Sequence, residues 1–79
     1  MARTTKTKVD VYALYDSGPI EAMDKAARAI MESRGGDAVG AGTFLPTGER
    51  DIQYRIPADQ VDDAVKALQK AGFRTRVIL

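Results

Sequence analysis

Residues 35 to 56 have the sequence GGDAVGAGTFLPTGERDIQYRI, which predicts a β-hairpin at the centre of the chain. The first half contains Gly40 and Gly42, and glycine inside a strand usually marks a bulge or a close approach by another backbone. A Pro-Thr-Gly turn follows at residues 46 to 48. The second half alternates strictly and places on the core side Ile52, Tyr54 and Ile56. We therefore expect an edge strand followed by a central strand.

The segments on either side of the hairpin predict one strand and one helix each. Residues 8 to 15 alternate as a half-buried strand, and Pro19 suits the first turn of a helix that ends at Gly35 and Gly36. The apolar stripe of this helix is formed by Ile20, Met23, Ala27, Ile30 and Met31. On its wet face, Glu21 is expected to pair with Lys25, and Asp24 with Arg28. Residues 57 to 71 predict a second helix, which Gly72 ends, and residues 73 to 79 predict a last strand.

The resulting β-α-β-β-α-β order resembles the ferredoxin-like sandwich over residues 8 to 79. This resemblance implies an α+β fold in which a four-stranded antiparallel sheet, in the order 4-1-3-2, carries two helices on one face. Residues 1 to 7 are polar and unpatterned, so we expect a flexible N-terminal tail followed by a single domain at residues 8 to 79.

In such a sandwich the second face of the sheet has no helix over it. The outward positions of the predicted strands are Asp10, Tyr12, Leu14, Gln53, Arg55, Arg74 and Arg76. Tyrosine and arginine are favoured anchors at protein interfaces. We therefore expect a partner to be contacted by Tyr12, Gln53, Arg55, Arg74 and Arg76.

The composition excludes several classes of site. The chain has no cysteine and no histidine, so disulfides, thiolate metal sites and the Ser-His and Cys-His catalytic arrangements are excluded. The crowded carboxylates at the start of the second predicted helix, Asp59, Asp62 and Asp63, are explained by the helix dipole. We expect no catalytic residue, no metal and no cofactor.

The charge distribution argues against strong non-specific binding to nucleic acid. The formal net charge is +1, but nine of the 12 basic residues and all 11 acidic residues lie from Val9 onward. The predicted domain is therefore mildly acidic. No apolar run approaches the roughly 18 residues that a spanning helix needs, and no apolar segment follows the basic start. We expect a cytoplasmic protein without membrane contact.

Two family resemblances supply alternative functions. Residues 11 to 14, Val-Tyr-Ala-Leu, look like the first of the two RNA-contact motifs of RRM domains, which stack bases on aromatic side chains of the central strands. Asp51, Gln53 and Arg55 stand where the second motif would have its aromatic residues. Residues 16 to 20, Asp-Ser-Gly-Pro-Ile, are similar to the ligand-binding Asp-x-Pro-Gly-Leu turn of ACT domains, with proline and glycine exchanged. Nucleic-acid binding and small-ligand sensing are thus the alternatives.

Together these features favour a small non-catalytic protein that engages or occludes a macromolecular partner, first of all a protein, through the open sheet face and the edge strand. Inert modules of this size are common among phage and mobile-element inhibitors, of which anti-CRISPR proteins are one example. The edge strand around Gly40 and Gly42 also allows another chain to approach, by sheet extension or by pairing into a homodimer, and packing within the fold explains these glycines equally well.

Overall fold

The computed structural model describes residues 7 to 16, 19 to 44 and 46 to 78. The described elements are β1 (Lys8–Tyr15), α1 (Ile20–Glu32), β2 (Asp37–Phe44), β3 (Glu49–Pro57), a 3-10 turn (Ala58–Gln60), α2 (Val61–Lys70) and β4 (Arg74–Ile78). Residues 1 to 6 of the expected tail lie outside the described residues. Thr7 is described, and its carbonyl oxygen accepts a hydrogen bond from the Ala58 amide at 2.9 Å.

All four strands form one antiparallel sheet in the order β2-β3-β1-β4. β1 and β3 are therefore central, while β2 and β4 are the edge strands. The α+β class, with a four-stranded antiparallel sheet and two helices, is confirmed. The hairpin consists of an edge strand followed by a central strand, as the glycines in its first half and the alternation in its second half predict.

The core lies between the sheet and the two helices. One set of alternate residues in β1 and β3 faces α1 and α2, and the buried helical residues join the same cluster, so both helices pack on one face of the sheet. The buried apolar residues are Val11, Ala13, Tyr15, Ala27, Met31, Ile52, Tyr54, Ile56, Ala64, Leu68 and Phe73. The inward positions predicted for β3 are confirmed, and so is the alternation predicted for β1.

Both helices end in a Schellman motif with glycine in the left-handed conformation. Gly35 has φ +80°, and the Gly36 amide donates to the Met31 carbonyl at 2.9 Å. At the end of α2, Gly72 has φ +100° and the Phe73 amide donates to the Leu68 carbonyl at 3.0 Å. The glycine stop signals in the sequence are therefore correct.

The start of α1 differs from the expectation. Pro19 is the residue before the helix, with extended backbone angles of φ −67° and ψ 121°, and is not part of the first helical turn. Ile20, expected in the buried stripe, is 52% exposed. The reason is that Ile20 lies beside β2, where the residues nearby, Ala38 and Ala41, are too small to cover it. The apolar stripe becomes half-buried only from Met23 onward.

Candidate functional site

The open face is the side of the sheet opposite the helices, formed by the outward residues of β1, β3 and β4. Tyr12 lies at its centre, where its cross-strand neighbours are Gln53 on β3 and Arg76 on β4. The flanking rows place Asp10 between Arg55 and Ile78, and Leu14 between Asp51 and Arg74. All five residues predicted to contact a partner therefore lie together on this face.

One side of the open face is an internal hydrogen-bonded cluster around Asp10. Arg55 Nε donates to Asp10 Oδ1 at 3.0 Å, and Gln53 Nε2 donates to Asp10 Oδ2 at 2.8 Å. The hydrogen bond from Arg55 is the main cause that holds the pKa of Asp10 below its usual value. Both oxygens of Asp10 are thus engaged within the chain. Arg55 and Gln53 are held in place and are less available to a partner than the sequence suggests.

Arg74 is the centre of a second internal cluster on the open face. Its guanidinium binds the Asp16 carboxylate through two hydrogen bonds of 2.8 and 3.0 Å, and it also donates to Glu49. The hydrogen bond to Asp16, more than that to Glu49, raises the pKa of Arg74. These contacts tie β4 to the end of β1 and the start of β3. A partner would have to compete with two carboxylates for this arginine.

Arg76 differs from the other two arginines of the open face. No hydrogen bond or ion pair joins its side chain to any residue in the described part of the chain. It is exposed, while its neighbour Tyr12 is half-buried. The open face therefore offers an aromatic ring and one uncommitted cation at its centre, flanked by clusters whose charges are already paired. Pairing of this kind depends on strand register, which the sequence pattern does not specify.

The edge strand β2 is exposed over nearly its whole length, with only Gly42 partly covered. A register shift between Ala38 and Gly40 marks a β-bulge, as the glycines predict. A Cβ added to Gly40 would have its nearest contact with Gln53 Oε1 at 3.9 Å, and one added to Gly42 would meet Asp51 Oδ1 at 3.6 Å. Both positions have room for a side chain, so no contact among the described residues requires glycine there.

A polar cluster on the helix side of the sheet was missed by the sequence analysis. Asp24 of α1 accepts hydrogen bonds from the Tyr15 hydroxyl at 2.8 Å and from Arg50 Nε and Nη2 at 3.0 and 2.7 Å. The side chains of Arg50 and Asp24 are only 20% and 30% exposed. Asp24 therefore pairs with Arg50 and not with Arg28, whose observed partner is Glu32 at 3.8 Å.

The pKa shifts in this cluster follow from the same contacts. The hydrogen bond from Arg50 is the main reason that the pKa of Asp24 is lowered, and burial, followed by the hydrogen bond to Asp24, raises the pKa of Tyr15. One signal could have located the cluster. Arg50 has the same strand parity as the core residues Ile52 and Tyr54, and a cation facing the core needs a partner.

Comparisons with known proteins give this site no precedent: no family model, curated protein or solved structure matches the chain. Within residues 7 to 16, 19 to 44 and 46 to 78, no helix is long and apolar enough to cross a membrane. The same residues contain no group of three acidic side chains arranged to hold a metal ion. We therefore infer function from the geometry of the surfaces described above.

Proposed function

We propose that this protein is a small non-catalytic module that binds a protein partner through its open face, with Tyr12 and Arg76 as the principal contacts. The observation that carries the proposal is the position of Tyr12 at the centre of an uncovered sheet, next to an arginine with no partner among the described residues. Tyrosine and arginine are the residue types most enriched at the energetic centres of interfaces.

The surroundings of this pair support the same function. Ile78 is 47% exposed and Leu14 is half-buried, so apolar surface lies in the rows on either side of Tyr12. The ion pairs of Arg55 and Arg74 limit side-chain motion around it, which lowers the entropy lost when a partner binds. Arg55, Gln53 and Arg74 would form the rim of the contact, where charged residues contribute less than at the centre.

The fold that we propose is the ferredoxin-like sandwich. It is supported by the β-α-β-β-α-β element order and by the central position of β1 and β3, since the order read from the β4 edge is β4-β1-β3-β2. We place the protein in the cytoplasm. Its proposed role is to occlude a surface of its partner, as a phage or mobile-element inhibitor of the anti-CRISPR kind does.

The double variant Tyr12→Ala/Arg76→Ala tests the proposed face. Capture from the source lysate should enrich one partner on the wild-type protein and lose it on the variant. The Kd of that complex should rise at least roughly thirtyfold, the equivalent of about 2 kcal/mol. The matched control is Lys66→Ala/Lys70→Ala, which removes two exposed cations from α2 and should leave the Kd unchanged. A partner that binds both double variants equally would contradict the proposal.

Nucleic-acid binding is the second candidate, because Tyr12 projects from a central strand as the stacking residues of RRM domains do. The two candidates differ in salt dependence. Phosphate contacts weaken steeply as salt rises, whereas a contact centred on Tyr12 and apolar groups weakens little. Fluorescence anisotropy with labelled single-stranded RNA at two salt concentrations distinguishes them.

The turn that resembles ACT domains includes Ser17 and Gly18, which lie outside the described residues.

We also propose that β2 of one copy pairs with β2 of a second copy. The support is the exposed edge and the room at Gly40 and Gly42 for another backbone to approach. A charged side chain on an edge strand disfavours pairing, so Gly42→Lys should convert the dimer to a monomer in sedimentation equilibrium. Thr47→Lys, which adds the same charge at an exposed turn, should remain dimeric. A monomeric wild-type protein would rule out this pairing.

A further inference from the structure

A groove of about 880 Å³ lies on the helix side of the sheet, between α1 and β2. It exists because the residues of β2 on this side are small and no helix covers them. Ala38 and Ala41 form part of the floor together with Ile52 of β3, and the exposed Ile20 of α1 lies in the wall. The volume falls within the range of roughly 300 to 1,000 Å³ that is typical of small-molecule sites.

The charged residues of this groove favour an anion. Lys25 and Arg28 lie on the α1 wall, and Arg50 comes from β3; the two carboxylates are Glu21 and Asp24. Asp24 is already neutralised by Arg50. Lys25 forms no ion pair with any residue in the ranges that the structure describes, so the pair expected with Glu21 is absent there. The lining therefore has three cations and two carboxylates. Arg28 also contacts Glu32, which is outside the lining, at 3.8 Å, so Lys25 is the cation that remains available to an anionic ligand.

Arg50 retains capacity to bind a ligand as well. A guanidinium has five N–H groups. The observed contacts use Nε, one N–H of Nη2 toward Asp24 and one N–H of Nη1 toward Thr43. Two N–H groups of Arg50 are therefore without an acceptor among the described residues, on a side chain that lines the groove.

Tyr54 supplies an independent indication of a ligand. Its side chain lines the groove and is 1% exposed, yet its hydroxyl has no hydrogen bond to any described residue. Burial raises the pKa of Tyr54 to about 12, so the hydroxyl is a donor at neutral pH. A buried donor without an acceptor is unfavourable. An acceptor atom of a bound molecule would remove this cost.

We propose that the groove binds a small amphipathic organic carboxylate. Its apolar body would lie on Ala38, Ala41 and Ile52, and its carboxylate would face the cations of α1 and accept from the Tyr54 hydroxyl. The volume of the groove indicates a small molecule, the uncommitted cation indicates its negative charge, and the unpartnered buried hydroxyl indicates an acceptor atom. The site is on the opposite side of the sheet from the open face, so ligand binding in the groove does not depend on partner binding at the open face.

The test uses dansyl-labelled undecanoate and its methyl ester, which have the same apolar body with and without the negative charge. Binding is followed by dansyl fluorescence well below the micelle concentration. The wild-type protein should bind the carboxylate about tenfold more tightly than the ester. Lys25→Ala/Arg28→Ala should reduce this ratio to about three, because the Tyr54 hydroxyl still favours the carboxylate. Lys66→Ala/Lys70→Ala, with the same change of charge on α2, should leave it at about ten.

Two further variants test the location. Ala41→Phe places a ring in the groove and should abolish binding of both probes, while Tyr54→Phe should weaken the carboxylate about threefold with little effect on the ester. Circular dichroism checks that each variant is folded. Backbone amide shifts in ¹⁵N NMR should move at Arg28 and Ala41. Absence of saturable binding, equal affinity for the two probes, or shifts centred on Tyr12 and Arg76 would overturn the proposal.

Discussion

Replacement of Leu68 by alanine is expected to lower the free energy of unfolding by about 3 kcal/mol, within the range of about 2 to 5 kcal/mol for such truncations. Leu68 is fully buried in α2 and belongs to the hydrophobic core between the helices and the sheet. Its neighbour one turn earlier in the helix, Ala64, is too small to fill the space left behind. In a 79-residue chain this loss is a large fraction of the total stability, which is typically about 5 to 15 kcal/mol.

Urea denaturation followed by circular dichroism measures this effect. The midpoint should shift strongly while the slope is unchanged, and Tm should fall by more than about 10 °C. Lys66→Ala is the matched control, because it removes an exposed side chain from the same helix and should change stability by less than about 0.5 kcal/mol. A loss below about 1 kcal/mol for Leu68→Ala would mean that α2 is not packed on the sheet as described.

Local sequence signals specify the elements and their faces, because each signal acts within a few residues. The alternation from Ile52 to Ile56 determines which side of β3 faces the helices, since successive side chains in a strand point to opposite faces. Gly35 and Gly72 stop the two helices because glycine adopts positive φ without steric cost. The five predicted contact residues share one face for the same reason: strand parity alone places them there.

Contacts between distant elements could not be predicted from such local signals. Arg74 and Asp16 are 58 residues apart, and their pairing depends on the register between β1 and β4. Strand parity places Arg74 and Arg76 on one face but cannot tell which of them is already paired. Ile20 shows the related limit for helices. Its spacing matches the buried stripe, but burial also requires a neighbouring side chain that is large enough to cover it. The residues of β2 beside Ile20 are too small for this.

Asp24 illustrates how a tertiary contact replaces a local one, and its loss is the second largest effect on stability that we expect. The variant Asp24→Asn should lower the free energy of unfolding by about 1 to 2 kcal/mol at pH 7. Hydrogen bonds to charged groups contribute about 1.5 to 3 kcal/mol, and this range is reduced here because the Asp24 side chain is 30% exposed. The side-chain oxygen of the introduced asparagine can still accept a hydrogen bond from the Tyr15 hydroxyl. The half-buried Arg50, however, is left without a counter-charge.

The pH dependence of this difference separates the ion pair from simple packing. Arg50 lowers the pKa of Asp24 in the folded protein, whereas the unfolded value is about 3.9. The pair therefore contributes fully above about pH 4, and its contribution is lost as pH falls through the lower folded pKa. Urea denaturation at a series of pH values measures the difference in free energy of unfolding between wild type and Asp24→Asn. This difference should be constant near neutrality and should narrow below about pH 4. Glu32→Gln, in the exposed pair with Arg28, should show a gap under about 0.5 kcal/mol. A gap for Asp24→Asn that persisted unchanged in acid would assign its effect to packing and not to charge.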